Sequence, residues 1–347
     1  MKICYFGMYD PNYARNRVIL RGLKENGIEV VECNSRSKGY KKYIELVKKH
    51  AKLKGNYDVM FVGLPGQNVM WLARFITSKK IVLDVFSSHY GGYIVDRKFH
   101  SSFSLPAFRY WFLDWLSIML ADEVLLDTNE HIKYFSRLVR IKPSVFTRMF
   151  VGSDDKVFYP RAKKHHEAKF IVYFHGTYIP LQGIEYIIEA ANLLREEKDI
   201  EFRLIGKGQT FEKVKAQSEI LKINNLKFIE PVKYQELPEY MAQANIVLGI
   251  FGKTKKAGYV IPNKVFEALA MKKAVITRKS KAIDELLTDG ENVKLVNPAD
   301  PKDLADKILE LKHHRGQREK IAENGYQLFK DKLTPKKLVK KILDKLK

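Results

Sequence analysis

"KFIVYFHGTYIPLQGIEYIIEAANLL", residues 169–194, runs from an unbroken apolar stretch through a glycine into a segment of helical periodicity. A continuous run rich in Phe, Ile and Val suits a strand covered on both faces, as in a parallel sheet. The chain leaves this strand through Gly176 and enters a helix around Gly183. Free backbone N–H groups and the positive helix end are thereby aimed at one place, where an anion is stabilised. Many α/β proteins contain such turns, so this loop by itself names no ligand.

The same scheme recurs on both sides. Downstream lie "IEFRLIGKG" (200–208), "LKFIE" (226–230), "NIVLGIF" (245–251), "KAVITR" (273–278) and "VKLVN" (293–297). Upstream lie "KICYFG" (2–7), "IEVVEC" (28–33), "YDVMFVG" (57–63), "KIVLDVF" (80–86), "EVLLDT" (123–128) and "FTRMFVG" (146–152). Between them stand helical patterns such as "NRVILRGLKENG", which ends at a glycine suited to a C-cap. Strand–helix alternation specifies an open α/β sheet with right-handed crossovers. Two tandem runs predict two Rossmann-like domains facing across a cleft, residues 1–160 and 168–330. The polar "YPRAKKHHEAK" (159–169) reads as their join. "LTPKKLVKKILDKLK" reads as one more amphipathic helix, about 335–347, expected to pack back on the first domain. In open α/β sheets ligands sit outside the carboxyl ends of the strands.

Composition narrows the class. The 347 residues fit two domains of roughly 150 residues each. Hydrophobic content of 46% and charged content of 29% belong to a globular protein. No apolar run reaches the ~18 residues of a transmembrane helix. The N-terminus enters a strand directly, without a signal-peptide layout. With two cysteines, Cys4 and Cys33, in strand-like runs, neither a disulfide framework nor a metal site is expected, and the cytoplasm is the expected compartment.

The net charge of +22 favours acidic partners. "KKYIELVKKHAKLKG" (41–55) carries six lysines and one glutamate around an imperfect apolar stripe. It reads as a solvated helix face or as a cationic helix on anionic membrane, which would make the protein peripheral at the inner membrane face. Zinc-finger spacing, an aromatic RNA-binding signature and a clear helix-turn-helix are missing from the sequence, so no nucleic-acid partner is expected. "SLPAFRYWFLDWLSIML" (104–120) is rich in aromatics at helical spacing and reads as core rather than lipid contact.

Two more segments of the second half carry chemistry. "IGKGQ" (205–209) places Gly206 and Gly208 after a strand, suited to close backbone approach by a planar or sugar ligand. "IPNKVFEALAM" (261–271) starts a helix after Pro262, with Asn263 as the expected N-cap. Lys264 and the unpaired N–H groups of its first turn can hold phosphate oxygens. Glu267, one turn on, can accept from both hydroxyls of a ribose, or can simply stabilise the helix dipole by roughly 0.3–1 kcal/mol. The three loops together, each at the carboxyl end of a strand, point to a nucleotide diphosphate site.

These segments resemble the retaining glycosyltransferases of the GT-B fold, of the family-four (glycosyltransferase group 1) type. The matching stretches are "HGTYIPLQGIEYIIEAANLL", "RLIGKGQ", "FIEPVKYQELPEYMAQANIVLGIF" and "NKVFEALAMKKAVITRKSKAIDELLTDGENVKLVNPADPKDLADKI", in the family's order over nearly all of residues 169–310. "VGSDDKVFYP" (151–160) is similar to the segment that closes the family's first domain. The resemblance implies transfer of a sugar from a nucleotide diphosphate sugar to an acceptor hydroxyl, with retention and without a bound metal or cofactor. It implies that Glu267 holds the ribose, that Gly176 approaches the diphosphate and that backbone around Val232 meets the base. The chain departs from the family at Tyr259, where a first glutamate is usual, and at Thr177 and Gln182, where basic residues are usual. Lys264 is the candidate for supplying a missing charge to the leaving diphosphate.

Acceptor-side candidates come from the first half. "VLDVFSSHYGGYIVDR" (82–97) follows the fourth strand, where such enzymes carry residues near the reacting sugar, and offers His89, Asp84, Asp96 and Arg97. Asp84, inside a strand, can equally bond neighbouring backbone. "DPNYARNR" (10–17) offers Arg15 and Arg17 to a phosphate-bearing acceptor, or to solvent. The acceptor would be a sugar, glycolipid or polysaccharide. Two rival readings keep the fold: a binding protein without turnover, and an epimerase or phosphorylase acting on sugar phosphates.

Overall fold

The computed structural model describes residues 1–162 and 169–346. Two compact units divide the chain: Met1–Gly152 with Thr334–Lys347, and Ser153–Leu333. The join expected at residues 159–169 lies partly outside the described residues.

The N-terminal unit holds β1 (Lys2–Gly7), β2 (Glu29–Asn34), β3 (Val59–Val62), β4 (Lys80–Asp84), β5 (Glu123–Leu126) and β6 (Phe146–Arg148). They form one parallel sheet in the order β2-β1-β3-β4-β5-β6. Its connecting helices are α1 (Ala14–Glu25), α2 (Lys41–Ala51), α3 (Met70–Ile76), α4 (Leu105–Met119) and α5 (Asn129–Val139). Local chemistry sets several of their ends. Ser104 caps α4 by accepting from Ala107 N, and Thr128 caps α5 by accepting from His131 N, each satisfying an orphan donor of the first turn. Gly27 (φ +73°) turns the chain out of α1 as expected.

The C-terminal unit repeats the architecture with β7 (Phe170–His175), β8 (Ile200–Ile205), β9 (Leu226–Ile229), β10 (Ile246–Leu248), β11 (Ala274–Arg278) and β12 (Lys294–Val296). The parallel order is β12-β11-β10-β7-β8-β9. Its helices are α6 (Ile184–Leu193), α7 (Phe211–Ile220), α8 (Leu237–Gln243), α9 (Asn263–Ala270), α10 (Pro301–His313) and α11 (Arg315–Lys332). Each unit has its own core, around Phe6, Met60 and Leu83 in one and Phe174, Phe202 and Leu248 in the other. Among the described residues no helix is long and apolar enough to cross a membrane.

All twelve expected strands are present, but several stop before their apolar runs do. β6 ends at Arg148, yet Met149 N still donates to Leu126 O, and Phe150 and Val151 stay buried. β10 ends at Leu248, while Ile250 and Phe251 remain in the interior. Apolar character follows burial, and burial outlasts the ladder.

The aromatic helix α4 corrects the expectation of a core stripe. Ala107, Asp114, Ser117 and Ile118 face inward, while Leu105, Phe108, Phe112 and Met119 are exposed. The reason is Asp114, whose carboxylate accepts from Ser88 Oγ (2.6 Å), His89 N (3.0 Å) and Tyr90 N (3.0 Å). A carboxylate so bonded fixes which side of the helix turns in.

The last helix, α12 (Pro335–Leu346), packs on α1. Gly22 makes the contact possible, because a Cβ there would collide with Pro335 O and Val339 Cγ2. Asn26 Nδ2 ties the pair by donating to Gly22 O (2.7 Å) and Lys336 O (2.9 Å). Gly22→Ala should therefore lower the unfolding free energy by about 1–3 kcal/mol, because backbone cannot yield as a side chain can. Equilibrium denaturation measures this. An unchanged or raised midpoint, which helix propensity alone would give, would refute the close packing.

Candidate functional site

The C-terminal sheet reverses its direction of growth between β7 and β10. At such a switch point the loops after two neighbouring strands diverge and leave a crevice at their carboxyl ends. The residues singled out in this unit gather around it.

β7 ends at His175 and continues into Gly176 at φ +149°, a conformation that side chains rarely adopt. Gly176 N donates to Ile205 O (3.0 Å), and Tyr178 N donates to Lys207 O (3.0 Å), so the loops after β7 and β8 run against each other. A Cβ at Gly206 would strike Gly176 O, and one at Gly208 would lie 2.6 Å from Tyr178 O. Thr177 is exposed beside them, and Val232 is half-buried in the loop after β9.

Lys264 reaches this loop from the first turn of α9. Its Nζ donates to Gln182 Oε1 (2.6 Å), lies 3.5 Å from the centroid of the Phe174 ring, and would be 3.0 Å from a Cβ at Gly176. Burial holds its ammonium well below the usual lysine range, against a smaller upward pull from Glu267. Glu267, also buried, bonds His175 through Oε2···Nε2 (2.9 Å). His175 Nδ1 is buried without a hydrogen-bond partner. Sequence reasoning missed His175, whose only signal is its place as the last residue of a strand before Gly176. Asn263 corrects another expectation: it is the first residue of α9, Pro262 occupies the cap, and no side chain bonds the first turn. Those N–H groups are thus not claimed by a capping side chain. Tyr259, where the family has a glutamate, is buried.

The N-terminal candidates separate into two kinds. Arg15 and Asp84 are fully buried and form a two-point ion pair, with Arg15 Nε 3.1 Å from Oδ2 and Nη2 3.0 Å from Oδ1. Arg15 Nη1 also donates to Met149 O (2.8 Å) and Phe150 O (2.9 Å). The expectation of Arg15 at a phosphate-bearing acceptor is corrected: this guanidinium ties β4 to the end of the sheet, and Asp84 is its counter-ion. Asp96 is buried as well, and Arg97 lies over the Tyr93 and Phe99 rings at 5.8 Å each. His89 is half-buried, stacked near Tyr93 (5.9 Å) and Tyr110 (6.1 Å), with Nε2 lacking a partner. Burial lowers its pKa, partly offset by Asp114. Asp114, the anchor of this loop, was hidden in sequence by the aromatic run around it.

Among the described residues no three His, Cys, Asp or Glu side chains gather as a metal-binding group. The arrangement around Gly176 instead offers backbone N–H donors, one buried lysine, an amide and a carboxylate at the mouth of a parallel sheet. This donor set suits a pyrophosphate joined to a hydroxylated group.

Comparison with known proteins agrees with the geometry. Residues 155–328 match the family described as glycosyl transferases group 1. An uncharacterized glycosyltransferase of Methanocaldococcus jannaschii is 29% identical over 160 residues, 45% of this chain and 42% of that protein. An MMP alpha-(1->4)-mannosyltransferase of Mycolicibacterium hassiacum is 27% identical over 180 residues, 50% of this chain and 41% of that protein. The chain thus spans about two fifths of the length of the curated relatives it matches. In fold it is similar to Anabaena HepE, crystallised with UDP and glucose, with a TM-score of 0.75, 16% identity and coverage of 100% and 99% of the two chains. Sucrose-phosphate synthase from Thermosynechococcus elongatus gives a TM-score of 0.78 at 14% identity, covering 100% and 98%.

The buried ammonium predicts a pH dependence. Unfolded, Lys264 binds a proton up to about its ordinary value of 10.5; folded, it loses that proton at lower pH. The unfolded state then holds more protons, so this group adds stability as pH rises and withdraws it as pH falls. The stability of the wild type relative to Lys264→Met should climb by up to about 1.4 kcal/mol per pH unit in the window below that value. Denaturation at several pH values tests this, and parallel stability curves would contradict it.

Proposed function

Because the chain belongs to the glycosyl transferases of group 1, matched over half its length, we propose that it moves a sugar from a nucleotide diphosphate sugar to an acceptor hydroxyl. The carrying observation is the convergence of Lys264 and Gln182 on the Cβ-less turn at Gly176, at the switch point of the C-terminal sheet.

In this reading the diphosphate lies against the backbone of residues 176–177 and the first turn of α9. The bond from anomeric carbon to diphosphate oxygen breaks, and its electron pair leaves with the diphosphate. The acceptor oxygen bonds the same carbon on the same face, and its proton passes to the departing phosphate, so configuration is retained. Lys264 meets the charge that develops on the leaving group, where stabilisation counts most in a water-poor site. Glu267, oriented by His175, accepts from the ribose hydroxyls, and the backbone near Val232 meets the base. Gly206 and Gly208 keep the neighbouring loop thin enough for the sugar, while Thr177 and Asn263 line the phosphate side. The N-terminal unit takes the acceptor, with His89 as its candidate residue. UDP in the HepE crystals makes uridine diphosphate sugars the first donors to try, and the mannosyltransferase relative supports hexosyl transfer. No metal enters this scheme.

The lowered pKa of Lys264 has a consequence for binding. An incoming diphosphate supplies the counter-charge that favours the ammonium form, so Lys264 gains a proton as the ligand binds. Calorimetry in buffers of different ionisation enthalpy, at several pH values below the usual lysine range, should register proton uptake that Lys264→Met abolishes; uptake unchanged by the variant would remove Lys264 from the phosphates.

The test of function is a thermal-shift screen of nucleoside diphosphates and their sugars, since a ligand at about a hundred times its Kd adds about 2.7 kcal/mol to the native state. A matching donor should raise the melting temperature of the wild type, and Glu267→Ala should erase that rise. Lys264→Ala should cut turnover by about a hundredfold while the protein remains folded. A panel that shifts nothing, or a Glu267→Ala variant that binds normally, would overturn this assignment.

A further inference from the structure

α4 is inverted with respect to a helix on a sheet. Its inward side carries Asp114 and Ser117, whereas Leu105, Phe108, Phe112 and Met119 repeat at near-heptad spacing on the outside. Exposure is extreme for apolar side chains: Phe103 just ahead of the helix is 101% exposed, Leu105 81%, Phe108 60%, and Phe75 of the adjacent α3 84%. The rings are not scattered singly. Phe108 stacks on Trp111 (6.1 Å) and Phe112 (6.3 Å), and Phe112 meets Trp115 (5.8 Å). A contiguous apolar surface of this kind on a folded unit marks a contact with something else. Beside it opens a pocket of about 450 Å³ whose lining includes Tyr90, Phe103, Ala107, Phe108, Trp111 and Leu138.

The charges around this face are predominantly basic. Residues 97–113 include Arg97, Lys98 and Arg109 and no carboxylate, and residues 70–80 include Arg74, Lys79 and Lys80 and no carboxylate. Trp71 of α3 meets Tyr43 of α2 (5.4 Å), which extends the face to α2, with Ile44 and Val47 exposed among its lysines. The nearby acids are engaged: Glu45 accepts from Ser35 and Ser37, and Asp122 pairs with Arg74. A second copy of this chain is a poor occupant. A two-fold interface would set a surplus of cations against itself. Rings projecting beyond a cationic rim suit a bilayer, where apolar groups enter the acyl boundary and long basic side chains reach the head groups.

We propose that the α3–α4 face of the N-terminal unit docks on an anionic lipid bilayer, with Phe103, Leu105 and Phe108 inserted at the acyl boundary and the basic rim on the head groups. Docking goes beyond the sugar-transfer reading, since it requires no nucleotide.

Vesicle flotation without nucleotide tests it. The wild type should float with phosphatidylcholine vesicles containing phosphatidylglycerol, and less with phosphatidylcholine alone or in high salt. The triple variant Phe103→Ser, Leu105→Ser, Phe108→Ser should lose about tenfold or more in partitioning while keeping its melting temperature, because these side chains are already exposed. Phe103→Trp should shift its emission to the blue with the anionic vesicles, which reads insertion at that position even if the triple variant misfolds. Absence of flotation at low salt, equal flotation of a folded triple variant, or no emission shift would overturn the proposal. Concentration-dependent dimerisation in sedimentation that the triple variant abolishes would overturn it too, making this a face between copies.

Discussion

At the mouth of the C-terminal sheet two loops lie closer than side chains allow. Gly206 can have no Cβ because Gly176 O occupies the space, and Gly176 adopts a φ of +149° within reach of Lys264 Nζ. Backbone hydrogen bonds between the loops then fix the path of residues 176–178. Everything chemical in this unit is placed relative to that path: His175 just before it, Gln182 at the end of its turn, and Lys264 across from it. Close-packed protein transmits such a constraint stiffly, so a side chain at either glycine would displace the whole set rather than one atom.

Arg15 and Lys264, both buried, differ in how fully their charged forms are solvated. Arg15 has a carboxylate and two carbonyl oxygens around its guanidinium, and removing any of them would strand a charge. Lys264 has one amide oxygen and the face of Phe174, which solvate an ammonium incompletely. Burial holds its ammonium well below the usual lysine range, against a smaller upward pull from Glu267. The proposed donor makes up the difference, because a diphosphate supplies the missing counter-charge.

Fold and site differ in how far the sequence discloses them. All twelve strands could be read from apolar runs, because parallel strands buried on both faces leave an unbroken signature; only their ends were misjudged, since buried loops such as residues 149–151 are equally apolar. In the C-terminal unit the candidate residues are close in the chain to glycine turns and helix starts, so local patterns located them. Arg15 and Asp84 are 69 positions apart and look like loop and strand residues until the fold joins them. His175 and Glu267, separated by 92 positions, meet for the same reason. The cap at Pro262 rather than Asn263 reflects a one-residue choice that propensity does not resolve.

α4 is where the composition misled most, and the cause links two parts of the N-terminal unit. Aromatics at helical spacing favour burial, yet one carboxylate decided the rotation of the helix. The turn at residues 88–90 leaves two backbone N–H groups and a serine hydroxyl to satisfy, and Asp114 accepts from all three. Facing Asp114 inward necessarily turns residues 105, 108 and 112 outward, since they lie on the opposite side of the helix. The position of His89 and the exposure of the phenylalanines are thus two results of a single buried interaction. A bilayer under that face would press on the helix that orients His89, and the hydrogen bonds of Asp114 are the means by which surface and loop hold one another in place.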